Sequence, residues 1–99
     1  MEPWEKELKP FLNEKGQLTA FPAKQKKKVL ALEYLASKLE PGRRYTEMEI
    51  NDLLGQWHTF RDPATLRREL YDFHCLNRTP DGRAYALADP QPTPEELGL

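Results

Sequence analysis

The chain has 99 residues, of which 31% are charged and 38% are hydrophobic, and its formal net charge is −1. This composition is typical of one small globular domain with a modest core, and the single cysteine, Cys75, excludes an internal disulfide and a cysteine-based zinc cluster. The sequence starts without a basic-then-apolar leader and has no apolar run approaching the length of a bilayer span. We therefore expect a cytoplasmic protein without a membrane partner.

The charges are unevenly distributed along the chain. Residues 22 to 85 carry 12 Lys and Arg residues against 9 Asp and Glu residues, whereas residues 1 to 21 sum to −1 and residues 86 to 99 to −3. The central part is therefore mildly basic. Double-stranded DNA is compatible with this charge, although dedicated DNA-binding domains usually have a stronger basic field on one face.

Residues 1 to 15 predict a helical extension that precedes the main domain. Apolar residues recur there at the spacing of one helical stripe: Trp4, Leu8, Phe11 and Leu12. Pro10 interrupts this stripe, so a kink or a break is predicted near Lys9.

The main domain is predicted from residue 16 to residue 88 and contains three helices. The first covers residues 23 to 39, the second residues 47 to 57 and the third residues 63 to about 74. An apolar stripe predicts the core face of the first helix: Val29, Leu32, Leu35, Ala36 and Leu39.

Two of these helices start with clear capping signals. Thr46 and Glu49 have the spacing of a capping box, and Asp62 followed by Pro63 combines an N-cap with proline at the first helical position. Only residues 58 to 61 connect the second helix to the third. So short a connection predicts the steep crossing of a helix-turn-helix.

Two short extended runs follow the third helix, at residues 76 to 79 and 83 to 87. Residues 79 to 82, Thr-Pro-Asp-Gly, predict a tight turn that joins them into a hairpin. Residues 43 to 45 predict one more short strand. The expected fold is α+β and mainly helical: a winged helix-turn-helix with a three-helix core, a small β-hairpin wing and an N-terminal helix. Residues 89 to 99 are predicted to be a disordered acidic tail.

Four lysines gather at the predicted start of the first long helix: Lys24, Lys26, Lys27 and Lys28. The helix macrodipole disfavours cations at this end, which becomes understandable if a nucleic-acid phosphate binds there. A solvated charge run that keeps a small protein soluble explains the same pattern.

The third helix carries Arg67 and Arg68, beside Thr65, in the part of a recognition helix that approaches bases or phosphates in a major groove. Four of its side chains are predicted to point largely outward: Arg67, Arg68, Glu69 and Asp72. Structural alternatives exist for both arginines. Arg68 is four residues from Asp72, a spacing that allows an ion pair on the same helix. Arg67 can instead pair with an acid of the preceding helix: Glu49 or Asp52.

Arginines also flank the predicted wing. Arg78 and Arg83 adjoin its turn and can reach phosphates or a minor groove, and Arg43 and Arg44 are expected near its base. Plain surface charge is an equally good explanation of arginines on a hairpin. The hypothetical DNA-binding set comprises these residues: Lys24, Lys26, Lys27, Lys28, Arg43, Arg44, Thr65, Arg67, Arg68, Arg78 and Arg83.

Signals for catalysis are poor. His58, His74 and Cys75 have no metal-site spacing, and Ser37 lies outside any nucleophile-elbow context. There is no glycine-rich phosphate loop. We therefore expect a protein that is not an enzyme and that has no catalytic residue, metal or cofactor.

Five short motifs resemble the uncharacterised bacterial domain-of-unknown-function 2087 family: Pro22-Ala23-Lys24, Tyr45-Thr46-Glu47, Ile50-Asn51, Leu66-Arg67-Arg68-Glu69-Leu70 and Gly82-Arg83-Ala84-Tyr85. The resemblance covers about residues 16 to 87. It implies a compact winged-helix module, found alone or fused behind an arsenical-resistance-type transcriptional regulator, and so an association with transcription regulation. The chain departs from the family pattern at His74 and Cys75, where small or glycine-like residues are more typical.

Two functions follow as expectations. The first is a DNA-binding module of a bacterial transcriptional regulator, with the third helix in a major groove and the wing on the phosphate backbone. The second is a winged-helix domain for protein interaction or homodimerisation without direct DNA binding. Three aromatic residues expected to be exposed favour this second function: Trp4, Phe11 and Phe60.

Overall fold

A computed structural model describes residues 7 to 93 and residue 96. Over these residues the fold is α+β, with three α-helices and a small antiparallel sheet of three strands. The elements follow in this order: α1 (Gln25–Ala36), β1 (Tyr45–Thr46), α2 (Glu47–Gly55), α3 (Pro63–Asp72), β2 (Leu76–Arg78) and β3 (Ala84–Leu87). The sheet order is β1-β3-β2, so the strand before α2 pairs with the far strand of the hairpin. This arrangement is compatible with a winged-helix-like layout.

The amino-terminal segment changes conformation at the predicted place. Leu8 is helical and fully buried in the core, and a 3-10 turn, Lys9–Phe11, follows it directly. The predicted break near Lys9 is therefore confirmed, since proline disfavours continuation of an α-helix. Trp4, the first member of the predicted apolar stripe, lies outside the described residues.

Helix α1 is shorter at both ends than the predicted span of residues 23 to 39. Lys24 has an extended backbone and provides no side-chain cap, so the helix begins at Gln25. After Ala36 the backbone bonds become the tighter i to i+3 type, including Leu39 N–H to Ala36 O at 3.1 Å. The predicted core stripe is confirmed, because all five of its residues are buried: Val29, Leu32, Leu35, Ala36 and Leu39.

Both predicted helix caps are present. The Glu49 backbone N–H donates to the Thr46 hydroxyl at 3.1 Å, and the Thr46 N–H donates to the Glu49 carboxylate at 2.9 Å. At the start of α3, the Thr65 N–H donates to the Asp62 carboxylate at 3.2 Å, and Pro63 occupies the first helical position. These caps satisfy backbone donors that a helix leaves unpaired. Each of the two helices ends about two residues earlier than predicted.

The turn between α2 and α3 is organised around the buried imidazole of His58. Its Nε2 accepts the Asp62 backbone N–H at 2.8 Å, so its Nδ1 carries the proton and donates to Leu54 O at 2.7 Å. Leu18 adds a bridge to His58 from the segment before α1. The side chain thus connects the end of α2 to the cap of α3 and has a structural role.

The hairpin forms with the predicted turn and nearly the predicted strands. The Gly82 N–H donates to Thr79 O at 2.8 Å, and Gly82 has a φ of 72°, which glycine adopts without strain. Strand β1 lies at Tyr45–Thr46, slightly after the predicted residues 43 to 45, and places Tyr45 opposite Tyr85. The sheet therefore lies against α2 through β1 and β3 and against α3 through β2.

The described part of the carboxy-terminal segment is hydrogen-bonded to the domain. The Gln91 side-chain amide donates to Cys75 O at 2.9 Å and to Ala88 O at 2.7 Å. The predicted disorder of residues 94 and 95 and of residues 97 to 99 concerns positions outside the described part of the chain. Among the described residues, no helix combines the length and apolar character needed to cross a membrane.

Candidate functional site

A small crease lies between α3 and the hairpin. It has a volume of about 100 Å³, and five residues line it: Arg67, Arg68, Tyr71, Arg78 and Tyr85. We call it the arginine crease. It brings together three of the arginines that the sequence suggested for DNA binding, from two separate elements of the fold.

Helical spacing and strand register together build the arginine crease. On α3, Tyr71 follows Arg67 by four residues and Arg68 by three, so it is a surface neighbour of both. On the sheet, Arg78 of β2 is the direct partner of Tyr85 of β3, and residues paired in this way share one face. The Arg78 guanidinium lies 4.7 Å from the centre of the Tyr71 ring, which closes the crease between helix and hairpin.

Arg67 forms the inner side of the crease. Its side chain is only 16% exposed, and its Nη2 lies 2.8 Å from a Glu47 carboxylate oxygen. Its Nη1 donates to the side-chain oxygen of Asn51, and its guanidinium lies 5.8 Å from the centre of the Tyr85 ring. The predicted outward orientation of Arg67 is therefore wrong. Its acidic partner is also neither Glu49 nor Asp52 but Glu47.

Arg68 and Arg78 supply the free charge of the crease. Both are exposed, and no acidic side chain among the described residues lies within ion-pair distance of either. The suggested ion pair between Arg68 and Asp72 is therefore absent from the described part of the chain. Hydrogen bonds from Thr65 lower the pKa of Asp62, with a smaller contribution from the charge of Arg68.

Three of the four lysines near the start of α1 have acidic partners. Lys26 and Lys27 lie 4.0 and 3.2 Å from the Glu7 carboxylate, whose pKa is lowered mainly by the hydrogen bond from Lys27. Lys28 lies 3.9 Å from Glu69 on α3. Lys24 is exposed without an ion pair among the described residues. We call these four residues the lysine cluster.

The lysine cluster does not share the side of α3 that forms the crease. Glu69, the partner of Lys28, is two residues from Arg67, and two residues turn an α-helix by about 200°. Lys28 therefore contacts the side of α3 opposite to Arg67. The structure therefore places the lysine cluster and Arg67 on different sides of α3, although both belong to the single DNA-binding set expected from the sequence.

The remaining candidates lie elsewhere. Arg43 is 3.7 Å from Glu49 and covers the ring of Tyr45, whereas Arg44 is exposed. Arg83 is 88% exposed and lies 3.9 Å from Asp81 across the hairpin turn. Thr65 is in the first turn of α3, where its backbone N–H serves the Asp62 cap.

Comparison with known families gives a match over most of the chain. A family model described as an uncharacterized protein conserved in bacteria (DUF2087) matches residues 17–87. The chain belongs to the DUF2087 family. No curated protein and no solved structure matches it.

The DUF2087 match includes all three helices, the three strands and the arginine crease. The backbone at residue 74 suits a glycine-like residue, the type that the resemblance implies there. His74 has a φ of 64°, in the left-handed region that glycine adopts at the ends of helices. A glycine-like residue would therefore fit there without strain.

Three residues of the site in this DUF2087 chain were missed as functional candidates. Tyr71 lies under Arg78, and Glu47 and Asn51 hold Arg67. Tyr71 was detectable from its spacing to Arg67 and Arg68. The spacing of four between Glu47 and Asn51 places both on one face of α2, but no local pattern indicates that this face meets Arg67.

Groups suited to metal binding or nucleophilic chemistry are scarce in the described residues. No cluster of three or more His, Cys, Asp or Glu side chains among them is arranged to hold a metal ion. Cys75 is fully buried, and burial, followed by the charge of Glu33, raises the pKa of its thiol to about 11. A thiol with so high a pKa is a poor nucleophile near neutral pH.

Proposed function

We propose that this chain is a winged helix-turn-helix module that binds double-stranded DNA. In this proposal α3 enters the major groove and the hairpin β2–β3 contacts the phosphate backbone. The observation that carries it is the arginine crease, because cations from α3 and from β2 converge on one surface. Convergence of this kind is needed for a rigid domain to contact groove and backbone together.

The order of the elements supports this assignment. A short turn held by His58 joins α2 to α3, and the hairpin follows α3 directly. These are the parts of a helix-turn-helix followed by a wing. The resemblance discussed above adds an association with transcription, so we place the module in a bacterial transcriptional regulator.

The charge of the crease supports binding of a modest strength. Glu47 compensates Arg67, whereas Arg68 and Arg78 retain their charges for a partner. Arg78 already lies on the Tyr71 ring, so it loses less side-chain freedom on binding than a fully mobile arginine. We expect about three phosphate contacts and hence a slope of log affinity against log salt near −3.

Titration of a short duplex at low salt tests the proposal. We expect the amide resonances of α3 and the hairpin to shift, and R78Q to make the salt slope about one unit less steep. K15Q is a matched control, because Lys15 is an exposed cation in a turn outside α3 and the hairpin, and its substitution removes the same charge. Unchanged α3 and hairpin resonances at low salt would reject DNA binding.

The competing function is protein interaction or homodimerisation without direct DNA binding. Met48 favours it, since this apolar side chain on α2 is 73% exposed beside the pair of Glu47 and Arg67. Phe11 and Phe60, which were expected to be exposed, instead pack against the core. Trp4 lies outside the described residues.

Sedimentation over a range of concentrations separates the two functions. A self-associating domain sediments faster as its concentration rises, and M48E weakens this association. A monomer at every concentration that also binds duplex would leave DNA binding as the function of the crease.

A further inference from the structure

We propose that the arginine crease is a specific oxyanion site that takes one phosphate group. The identity of this group as a backbone phosphate of DNA rests on the proposed function, whereas the site itself rests on the crease geometry. Arg68 and Arg78 supply its charge and the Tyr85 hydroxyl supplies a neutral donor.

The size of the crease suits a single small anion. Its volume of about 100 Å³ is the room that a few water molecules occupy. A phosphate group is small enough to occupy such a crease. The arginines that line the crease make an oxyanion the matching ligand class.

Tyr85 offers the crease a hydrogen-bond donor in addition to the arginines. The residue lines the crease, and its hydroxyl has no hydrogen-bond partner among the described residues. No buried side-chain oxygen or nitrogen among these residues lacks a partner, so this hydroxyl is accessible to solvent. A tyrosine hydroxyl that solvent reaches keeps its donor available for a ligand. A phosphate oxygen in the crease would accept this hydrogen bond.

The arginines are held in ways that leave donors for the anion. Arg78 contacts the Tyr71 ring and has no ion pair within the described part of the chain, so its guanidinium donors remain available. The donors of Arg67 contact Glu47 and Asn51, so this residue lines the inner side of the site without binding the anion. Guanidinium groups match the geometry of phosphate oxygens, which favours phosphate over a spherical anion such as chloride.

Titration of the full chain with inorganic phosphate tests this site directly. Side-chain N–H resonances of Arg68 and Arg78 are followed by NMR, with sodium chloride at matched ionic strength as the reference. We expect saturable shifts with phosphate and not with chloride. R78Q should weaken phosphate binding about tenfold and Y85F about threefold, whereas K15Q should leave it unchanged.

The duplex experiments distinguish this inference from the proposed function. If phosphate saturates the crease but duplex does not bind, DNA binding fails and the oxyanion site stands. If duplex binds, but phosphate gives no saturable shift and Y85F binds duplex like the unmodified chain, the oxyanion site is overturned and DNA binding stands. If phosphate and duplex compete for the crease, as followed by the resonances of its residues, both the oxyanion site and DNA binding are supported.

Discussion

The arginine crease and the lysine cluster both collect cations, but they differ in what remains available for a partner. Of the four lysines, three lie beside Glu7 or Glu69, whereas Arg68 and Arg78 of the crease have no acidic partner in the described residues. The number of basic residues in a segment therefore does not determine the electrostatic field that the segment presents to a partner. The charge left after pairing within the molecule does.

The chemistry of the two side chains explains part of this difference. A guanidinium is planar and can lie on an aromatic ring, as Arg78 does on Tyr71, while keeping its charge. A lysine ammonium is a compact, strongly hydrated charge on a flexible stem. In this protein the crease is a shaped surface with free charge, whereas three of the four lysines of the lysine cluster are paired with Glu7 or Glu69.

Removal of one cation from each region should have the largest effect on stability. We expect R67A to lower the free energy of unfolding by about 1.5 to 3 kcal/mol. This variant removes a largely buried guanidinium together with its ion pair to Glu47 and its hydrogen bond to Asn51. K27A should remain closer to the unmodified chain, because its ion pair with Glu7 is more than a third exposed and so screened by solvent. Urea denaturation measures both.

R67K is the control that separates charge from geometry. Lysine keeps the charge but cannot reach Glu47 and Asn51 together with two planar donors, so we expect an intermediate loss. Equal stabilities of R67A and K27A would show that the two regions do not differ in the way described.

Neutralisation of the acid in each region should have a smaller effect, on DNA affinity. E47Q releases the charge of Arg67 beside the crease, and we expect duplex binding at low salt to tighten about fivefold, the effect of one unit charge a few Å away in water. E7Q releases Lys26 and Lys27 in the lysine cluster, and we expect less than a twofold change. Fluorescence anisotropy with one labelled duplex measures both.

The opposite ranking is also informative. If E7Q tightens binding more than E47Q, the duplex contacts the lysine cluster and the crease is not the main interface.

The smallest expected effect is the response of the helix caps to acid. Hydrogen bonds from Thr46 lower the pKa of Glu49, and those from Thr65 lower that of Asp62. A lowered pKa in the folded state contributes stability that is present above the ordinary values of 4.5 and 3.8 and is lost as pH falls through the folded values. Glu33, whose pKa burial raises, acts in the opposite direction.

Urea midpoints measured from pH 7 to pH 3 should therefore fall at the acid end. E49Q and D62N retain capping side chains without a titrating carboxyl, so we expect a weaker pH dependence for both. An unchanged pH profile in these variants would show that the caps do not contribute to the acid response.

Local chemistry made much of this fold predictable from the sequence. The capping box of Thr46 and Glu49, the cap at Asp62 and the turn that ends at Gly82 each depend on residues a few positions apart. Such short-range hydrogen bonds form wherever the sequence provides them. The helix ends were less predictable, since the bonds after Ala36 and the left-handed backbone of His74 depend on how the chain packs onward.

The candidate site was only partly predictable for a related reason. The sequence identified the three arginines of the crease, but it could not pair Arg67 with Glu47, because the rotation of α2 against α3 is set by core packing. The sequence also provided no sign that the lysine cluster has acidic partners, because Glu7 is 20 residues from Lys27 in the chain. Contacts between distant segments decide which charges remain available.

The fully buried Cys75 joins α3 to the hairpin. Its N–H donates to Leu70 O at 2.8 Å, and its carbonyl oxygen accepts from the Ala88 N–H at 3.0 Å. A separation of helix and hairpin breaks these bonds and would expose the one thiol of the chain. The rate at which an alkylating reagent modifies this thiol in the native protein therefore reports how often helix and hairpin separate. The measurement requires no engineered label.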